Sequence, residues 1–165
     1  MKNKTWYQIR PRAKNAREIE IDILEEIGGF GISAKQFRDD IKRLGETEPL
    51  HVHINSDGGD IIEGIEIYNT LMAHKGNVRV TIGALAASMA SVIAMAGDSI
   101  AIADNGFLMI HDPWTAIMGN SEELRKVADT MDKMKASIVK AYRQQTGMSA
   151  GEIEGLMSEE TWLTA

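Results

Sequence analysis

The chain has 165 residues, which is enough for one domain with a sizeable hydrophobic core. Its formal net charge of −6 argues against a nucleic-acid partner, because phosphate backbones attract basic surfaces. It contains no cysteine, no apolar segment typical of a signal peptide and no apolar run long enough to span a bilayer. We therefore expect a cytoplasmic protein without disulfides, thiol chemistry or a membrane partner.

Strands and helices are predicted to alternate along residues 18–110. Charged and apolar residues alternate over 18–24, which predicts a strand, and Ser33 and Gln36 have the spacing of a capping box that opens a helix ending at Leu44. Further strands are predicted over 50–54, 78–82, 99–103 and 107–110, and further helices over 61–74 and 88–96. This order favours an α/β fold with a largely parallel sheet and right-handed crossovers. The helix over 61–74 should turn one apolar face to the core, formed by Ile61, Ile65, Tyr68 and Met72.

A longer helix is predicted over residues 120–146. Asn120-Ser-Glu-Glu123 provides a cap and acidic residues in the first turn, and Gly147 ends the helix. Its apolar residues follow steps of three and four, as in a coiled coil: Leu124, Val127, Met131, Met134, Ile138 and Ala141. This seam over 124–141 could pack on the sheet of the same chain or against a second helix.

The segment over residues 83–97 carries a candidate nucleophile, Ser88. Small residues surround this serine, and an apolar run follows it. A helix that begins at Ser88 would direct its first N–H groups, and its partial positive charge, at whatever reacts with the hydroxyl. The alternative is a tightly packed core helix with Ser88 as its N-cap. Ser91, one turn later, is expected to be buried packing.

Two further segments could complete a hydrolytic site. The strand over 50–54 runs into Asn55-Ser-Asp-Gly-Gly59, and paired glycines after a strand can free two N–H groups for an oxyanion hole. The apolar strand over 107–110 delivers His111, a candidate general base. An ordinary turn and a structural histidine are the alternatives, but the three segments come in an order that a nucleophile–base–oxyanion site could use.

Together these segments resemble the proteolytic subunit of the Clp protease family (ClpP), serine peptidases with a Ser-His-Asp triad. The matching segments are Ile54-Asn-Ser-Asp-Gly-Gly59, Ala87-Ser-Met89, Met109-Ile-His-Asp-Pro113, Tyr142 to Gly147 and Thr161-Trp-Leu-Thr-Ala165. They keep the family's order from about Ile21 onward. The short N-terminus and Glu160-Thr-Trp162 are most similar to the Clp-like head maturation peptidases of phages and prophages.

The resemblance implies the spiral ββα fold that the family shares with the crotonase enzymes. The chain would be a single domain over residues 1–165, cut short at its C-terminal end. The helix over 120–146 would be the protruding handle through which two heptameric rings meet to form a tetradecamer.

The resemblance also implies a role for each matching residue. Ser88 would be the nucleophile and His111 the base, with the N–H groups of Gly58 and Met89 as the oxyanion hole. The peptide substrate would lie as an added strand beside Asp57 and Gly59.

The third member of the triad departs from the family pattern. The family's aspartate falls two residues before the aromatic of Phe-Leu-Ser-Ala; here that aromatic is Trp162, so the position holds Glu160. Glu159 is the near rival, and Asp112 has poor geometry because neighbouring strand residues point to opposite faces. Asp57 is a second departure, since the family usually has proline there.

The expected activity is that of a serine endopeptidase that cleaves extended or unfolded polypeptides through an acyl-enzyme and needs no cofactor. A separate AAA+ unfoldase is a possible partner, and phage capsid or scaffold proteins are plausible substrates. Two alternatives stay open: a catalytically weak structural subunit, and a crotonase-type acyl-CoA enzyme.

A metal site is not expected. His51 and His53 share a strand face and could be joined by Asp57 and Asp60, but no third well-placed ligand with supporting hydrogen bonds is evident.

Overall fold

A computed structural model of the chain describes residues 5–10, 18–28 and 33–165. The chain forms two compact units. The first is formed by the described residues within 1–109 together with 162–165, and the second by residues 110–161.

Twelve helices and strands occur in the described residues. In chain order they are β1 (Tyr7–Arg10), β2 (Ile19–Ile23), α1 (Ala34–Leu44), β3 (Leu50–Ser56), α2 (Ile61–Met72), β4 (Val78–Ala87), α3 (Met89–Ala94), β5 (Ser99–Ile102), β6 (Phe107–Ile110), α4 (Ser121–Thr146), α5 (Ala150–Ser158) and β7 (Thr161–Thr164).

The first unit is built around one sheet. Its strand order is β1-β2-β3-β4-β6-β7, and β5 also pairs with β4. β2, β3, β4, β5 and β6 run parallel, whereas β1 adds to β2 in the antiparallel direction. The predicted α/β class with a largely parallel sheet is therefore confirmed. β1, α5 and β7 are additions that the sequence analysis did not predict.

Strand β4 is five residues longer than predicted, and the extension decides where it ends. Its first half pairs with β5 through Arg79–Ile82, and its second half pairs with β6 through Leu85–Ala87. The register with β3 shifts between Ile54 and Ser56, which is a bulge-like irregularity. β3 and β4 therefore extend beyond the regular part of the sheet. They end at Ser56 and Ala87, just before the candidate site residues Gly58 and Ser88.

Side-chain alternation divides the sheet into an apolar and a polar face. Ile21, Val52 and Val80 stand opposite one another in register, and all three are fully buried. Helices α1, α2 and α3 add their own buried side chains, among them Phe37 and Ile67. Burial of such side chains contributes about 1.5–3 kcal/mol each, so this apolar layer between the sheet and the helices contributes strongly to stability.

Polar residues form the row on the other face. Glu20, His51 and Arg79 stand opposite one another, and His51 Nε2 lies 2.9 Å from Thr81 Oγ1. Arg79 donates to the carboxylate of Glu18, and this hydrogen bond lowers the pKa of the Glu18 carboxyl. In the described part of the chain, no group of three or more His, Cys, Asp or Glu side chains could hold a metal ion.

Helix α1 has the predicted extent, but the predicted capping box is wrong. Ser33 occupies the N-cap position without a side-chain hydrogen bond to the helix. The carboxylate of Glu63, on α2, accepts the N–H of Ala34 instead. Glu63 is itself placed by Asp60, whose side chain accepts the Glu63 N–H at 2.9 Å. A partner distant in sequence thus replaces the local cap.

The apolar face predicted for α2 is also wrong, except for Tyr68. The residues that the helix buries are Gly64, Ile67, Tyr68 and Leu71. Met72 is 41% exposed. The reason is the close approach to α3: a Cβ added at Gly64 would lie 2.6 Å from Met89 Cε. A periodicity argument that counts only large apolar residues misses a face centred on glycine.

The second unit consists mainly of α4 and α5. The predicted cap of α4 is confirmed, and the structure shows that it is a reciprocal capping box of Asn120 and Glu123; Gly147 ends the helix with φ of 73°. The predicted seam changes character along its length: Leu124 is 42% exposed, whereas Ile138 is buried. Ile138 lies near the end of α4 that precedes α5, so the C-terminal part of the seam is already covered in the single chain.

None of the helices in the described ranges has both the length and the apolar character needed to cross a membrane.

Candidate active site

Ser88 stands on a sharp turn between a strand and a helix. β4 ends at Ala87 and α3 begins at Met89. Ser88 has φ of 52° and ψ of −127°, a left-handed backbone that costs a non-glycine residue about 1–3 kcal/mol. Ser88 occupies the N-cap position of α3, as expected, but its side chain makes no capping hydrogen bond to the helix.

Hydrogen bonds from both sides hold this strained residue. The Ser88 N–H donates to the Met109 carbonyl at 3.0 Å. The Ser88 carbonyl accepts from the Ser91 N–H at 3.0 Å and from Ser91 Oγ at 2.6 Å. Ser91 is fully buried, as predicted. The surrounding structure therefore determines the turn more strongly than the backbone preference of serine does.

The predicted glycine pair lies against this turn. Gly58 has φ of 103°, and a Cβ added to it would lie 2.7 Å from Ser88 Cβ and 3.0 Å from Met89 N. Only a glycine permits both this conformation and this approach. The structure thus brings together three of the predicted site residues, namely Gly58, Ser88 and Met89.

The backbone of Ile27 contacts the glycine pair on the side away from Ser88. The Ile27 N–H donates to the Gly58 carbonyl at 2.7 Å, and the Asp60 N–H donates to the Ile27 carbonyl at 3.0 Å. A Cβ added at Gly59 would lie 2.3 Å from the Ile27 carbonyl oxygen. Ile27 contributes mainly through its backbone, so no motif in the sequence could have identified it.

Ser56 is a second residue that sequence reasoning missed. It is buried at the end of β3, where Oγ donates to the Glu25 carbonyl at 2.8 Å and accepts the Gly58 N–H at 3.2 Å. A serine two residues before a glycine is a signal for such a turn, but the same pattern occurs in ordinary loops.

A cavity of about 490 Å³ opens beside this segment. Leu85 and Ser56 line it, together with three carboxylates from Glu25, Glu26 and Asp57. The space is large enough for a side chain of a peptide. Asp57, a predicted substrate contact, is exposed at its edge.

The remaining predicted residues lie in the second unit. His111 follows β6 and is partly buried. Its neighbour Asp112 is paired with Lys135, whose Nζ lies 2.8 and 2.9 Å from the two carboxylate oxygens. Asp112 is thus engaged in an ion pair within the second unit.

Glu160 has an unusual backbone. Its φ is 48°, and its N–H donates to the Met157 carbonyl at 3.2 Å. Its side chain is exposed and has no hydrogen bond or ion pair within the residues that the structure describes. The rival Glu159 ends α5 with φ of −90°, an ordinary conformation.

Positive φ at a non-glycine residue occurs at two positions of the described chain, Ser88 and Glu160. Strained conformations of this kind are enriched at active sites, where the surrounding structure maintains them. These two positions are also the predicted nucleophile and the predicted third triad member.

Comparison with known proteins places the chain in a family. Residues 2–165 match the Clp protease family, and the chain belongs to it. The chain is 29% identical over 123 residues to the ATP-dependent Clp protease proteolytic subunit 1 of Salinibacter ruber (strain DSM 13855 / M31). The match covers 73% of the chain and 53% of that relative, so the chain spans about half the length of the curated relative it matches. The family predicted from the motifs is confirmed.

The contact between Gly59 and Ile27 predicts a large stability effect. Gly59→Ala should lower the free energy of unfolding by about 3 kcal/mol in urea denaturation, because the new methyl group would overlap the Ile27 backbone. Gly155→Ala is the matched control: Gly155 lies inside α5 with no atom within 4 Å of an added Cβ, so alanine should stabilise by about 0.5–1 kcal/mol. Equal stability of Gly59→Ala and the wild type would contradict the contact.

Proposed function

We propose that the protein is a serine endopeptidase in which Ser88 is the nucleophile. The observation that carries the proposal is the strained turn at Ser88, packed against the backbone of Gly58. A serine on a sharp strand-to-helix turn is the arrangement that exposes the hydroxyl of the nucleophile in many hydrolases. Membership of the Clp protease family supports the same activity.

The proposed reaction is acyl transfer to Ser88. Its Oγ attacks the carbonyl carbon of the peptide while His111 takes the hydroxyl proton, and the electron pair of the C=O bond moves to the oxygen. The N–H groups of Gly58 and Met89 stabilise this oxyanion, each worth ~10²–10³ in rate. The C–N bond then breaks, the amine leaves with the proton from His111, and water hydrolyses the acyl-enzyme.

Glu160 is the proposed partner of the His111 ring. A carboxylate that accepts the second ring N–H fixes the tautomer and stabilises the imidazolium that forms during attack. The strained backbone of Glu160 supports this assignment over Glu159. The exposed side chain would have to turn to His111 when the substrate binds or the protein assembles.

The proposed substrate is an extended polypeptide. It would pair as an added strand beside Asp57 and Gly59, with one side chain in the adjacent cavity. The named relative is the proteolytic subunit of an ATP-dependent protease, which favours a ring of several copies and a separate AAA+ unfoldase. The resemblance to phage and prophage peptidases favours processing of capsid or scaffold proteins.

The first test concerns the nucleophile. A fluorophosphonate probe should label the wild type at Ser88, and Ser88→Ala should lose both labelling and peptide hydrolysis. Ser99→Ala, on exposed β5, is the control and should keep both. A wild type that resists labelling would favour a catalytically weak structural subunit, and labelling of Ser91 would overturn the assignment.

The second test separates the two neighbouring glutamates. Glu160→Gln keeps the size and removes the charge, so kcat on an unstructured peptide should fall, by less than the ~10⁴ that the comparable change costs in a trypsin-like triad. Glu159→Gln should be nearly silent. Damage from Glu159→Gln alone would move the assignment by one residue, and two silent variants would indicate a dyad.

The third test concerns self-association through the seam of α4. Met131 and Met134 are only partly buried in the single chain, and we expect a second copy to cover them. Met131→Glu with Met134→Glu would place charges in that contact, which is costly without partners, so sedimentation should show smaller particles. Ala136→Glu with Ser137→Glu adds the same charge at exposed positions and should leave the size unchanged. Equal sizes for both pairs would mean that the seam makes no contact between copies.

A further inference from the structure

The N–H of Gly58, one of the two proposed oxyanion donors, already has an acceptor. Ser56 Oγ lies 3.2 Å from it, and both residues are buried. An N–H group has a single hydrogen, so a donor aimed at Ser56 is not offered in full to a substrate oxygen.

The hydroxyl of Ser56 is held in the orientation that favours this contact. Oγ donates its own hydrogen to the Glu25 carbonyl at 2.8 Å. With the hydrogen engaged there, a lone pair of the oxygen is left to face the Gly58 N–H. The two bonds thus support each other in the absence of substrate.

The Asp57–Gly58 peptide is the part of this segment that can turn. Ile27 holds the Gly58 carbonyl at 2.7 Å, and Gly59 packs closely against the Ile27 backbone. The N–H belongs to the preceding peptide plane, whose rotation changes ψ of Asp57 and φ of Gly58. Glycine tolerates almost any φ, so rotation of this plane does not strain Gly58 itself, and the Asp57 side chain on the other side of the plane is exposed.

We propose that Ser56 is an internal acceptor. Its hydroxyl keeps the Gly58 N–H hydrogen-bonded until the reaction begins, and the N–H then turns to the oxyanion. This inference rests on the proposed function, because it takes Gly58 as an oxyanion donor for attack by Ser88. Gly58 lies against Ser88, so a turn of one peptide plane is enough to redirect the donor within the site.

The charge on the substrate oxygen determines when the Gly58 N–H leaves Ser56. The carbonyl oxygen of a bound peptide is neutral, as is the hydroxyl of Ser56, so the two acceptors compete on similar terms. The oxygen becomes an anion during attack, and hydrogen bonds to charged acceptors are roughly twice as strong as those to neutral ones. In the wild type the donor is therefore withheld from the neutral bound carbonyl and released to the oxyanion, so Ser56 weakens binding of the substrate while leaving kcat nearly unchanged.

Kinetics of Ser56→Ala test the proposal. Without the hydroxyl, the Gly58 N–H is also available to the neutral carbonyl, so KM for an unstructured peptide should fall about three- to tenfold while kcat changes less than twofold. Ser56→Cys, with a weaker acceptor of similar size, should shift KM in the same direction by less, and it carries the test if the alanine variant does not fold. Ser99→Ala is the control and should leave both constants unchanged.

Two results would overturn the proposal. An unchanged KM would mean that Ser56 does not compete for the donor. A fall in kcat at unchanged thermal stability would mean that Ser56 aims the donor at the substrate instead of withholding it.

Amide hydrogen exchange separates this inference from the proposed function. Exchange of the Gly58 N–H, followed by NMR without substrate, should be severalfold faster in Ser56→Ala than in the wild type and unchanged in Ser99→Ala. Equal exchange rates in all three proteins would overturn the inference. An absence of fluorophosphonate labelling in the wild type would overturn the proposed function, whatever the exchange shows.

Discussion

The packing of the Gly58–Gly59 backbone between Ile27 and Ser88 is the constraint on which the rest of the first unit depends. Cβ atoms at these two positions would lie 2.7 Å from Ser88 Cβ and 2.3 Å from the Ile27 carbonyl oxygen. No other residue type fits between them, and both glycines have positive φ. The parallel pairing of β3 with β4 and the register shift after Ile54 bring the strand ends to the positions at which this packing occurs.

The turn at Ser88 shows how that packing supports a strained residue. Its left-handed backbone would be unfavourable alone, but bonds to Met109 and Ser91 hold it from neighbouring elements. These bonds require β4 to extend as far as Ala87 and to exchange its partner from β5 to β6. The site in this unit is therefore made mainly of backbone, with the small residues around Ser88 serving to let other segments come close.

Membership of the Clp protease family and the local geometry support the same function for different reasons. The family match extends over residues 2–165. The geometry rests on two strained residues, Ser88 and Glu160, and on the glycine that lies against the first of them. Glu160 is therefore unusual in two independent ways. It stands where the family pattern has aspartate, and its backbone has positive φ.

The sequence by itself was enough to predict the α/β class, most strands to within a few residues, and the cap and end of α4, because periodicity and capping are local properties. It also singled out Ser88 and Gly58, since small residues and paired glycines leave a recognisable pattern, and His111, which follows an apolar strand. Only the tertiary structure decided that Glu63 caps α1, that α2 buries a face centred on Gly64, and that Ile27 and Ser56 hold the glycine segment. Each of these depends on a partner that lies far away along the chain or contributes through its backbone, and neither kind of contact leaves a mark on a local pattern.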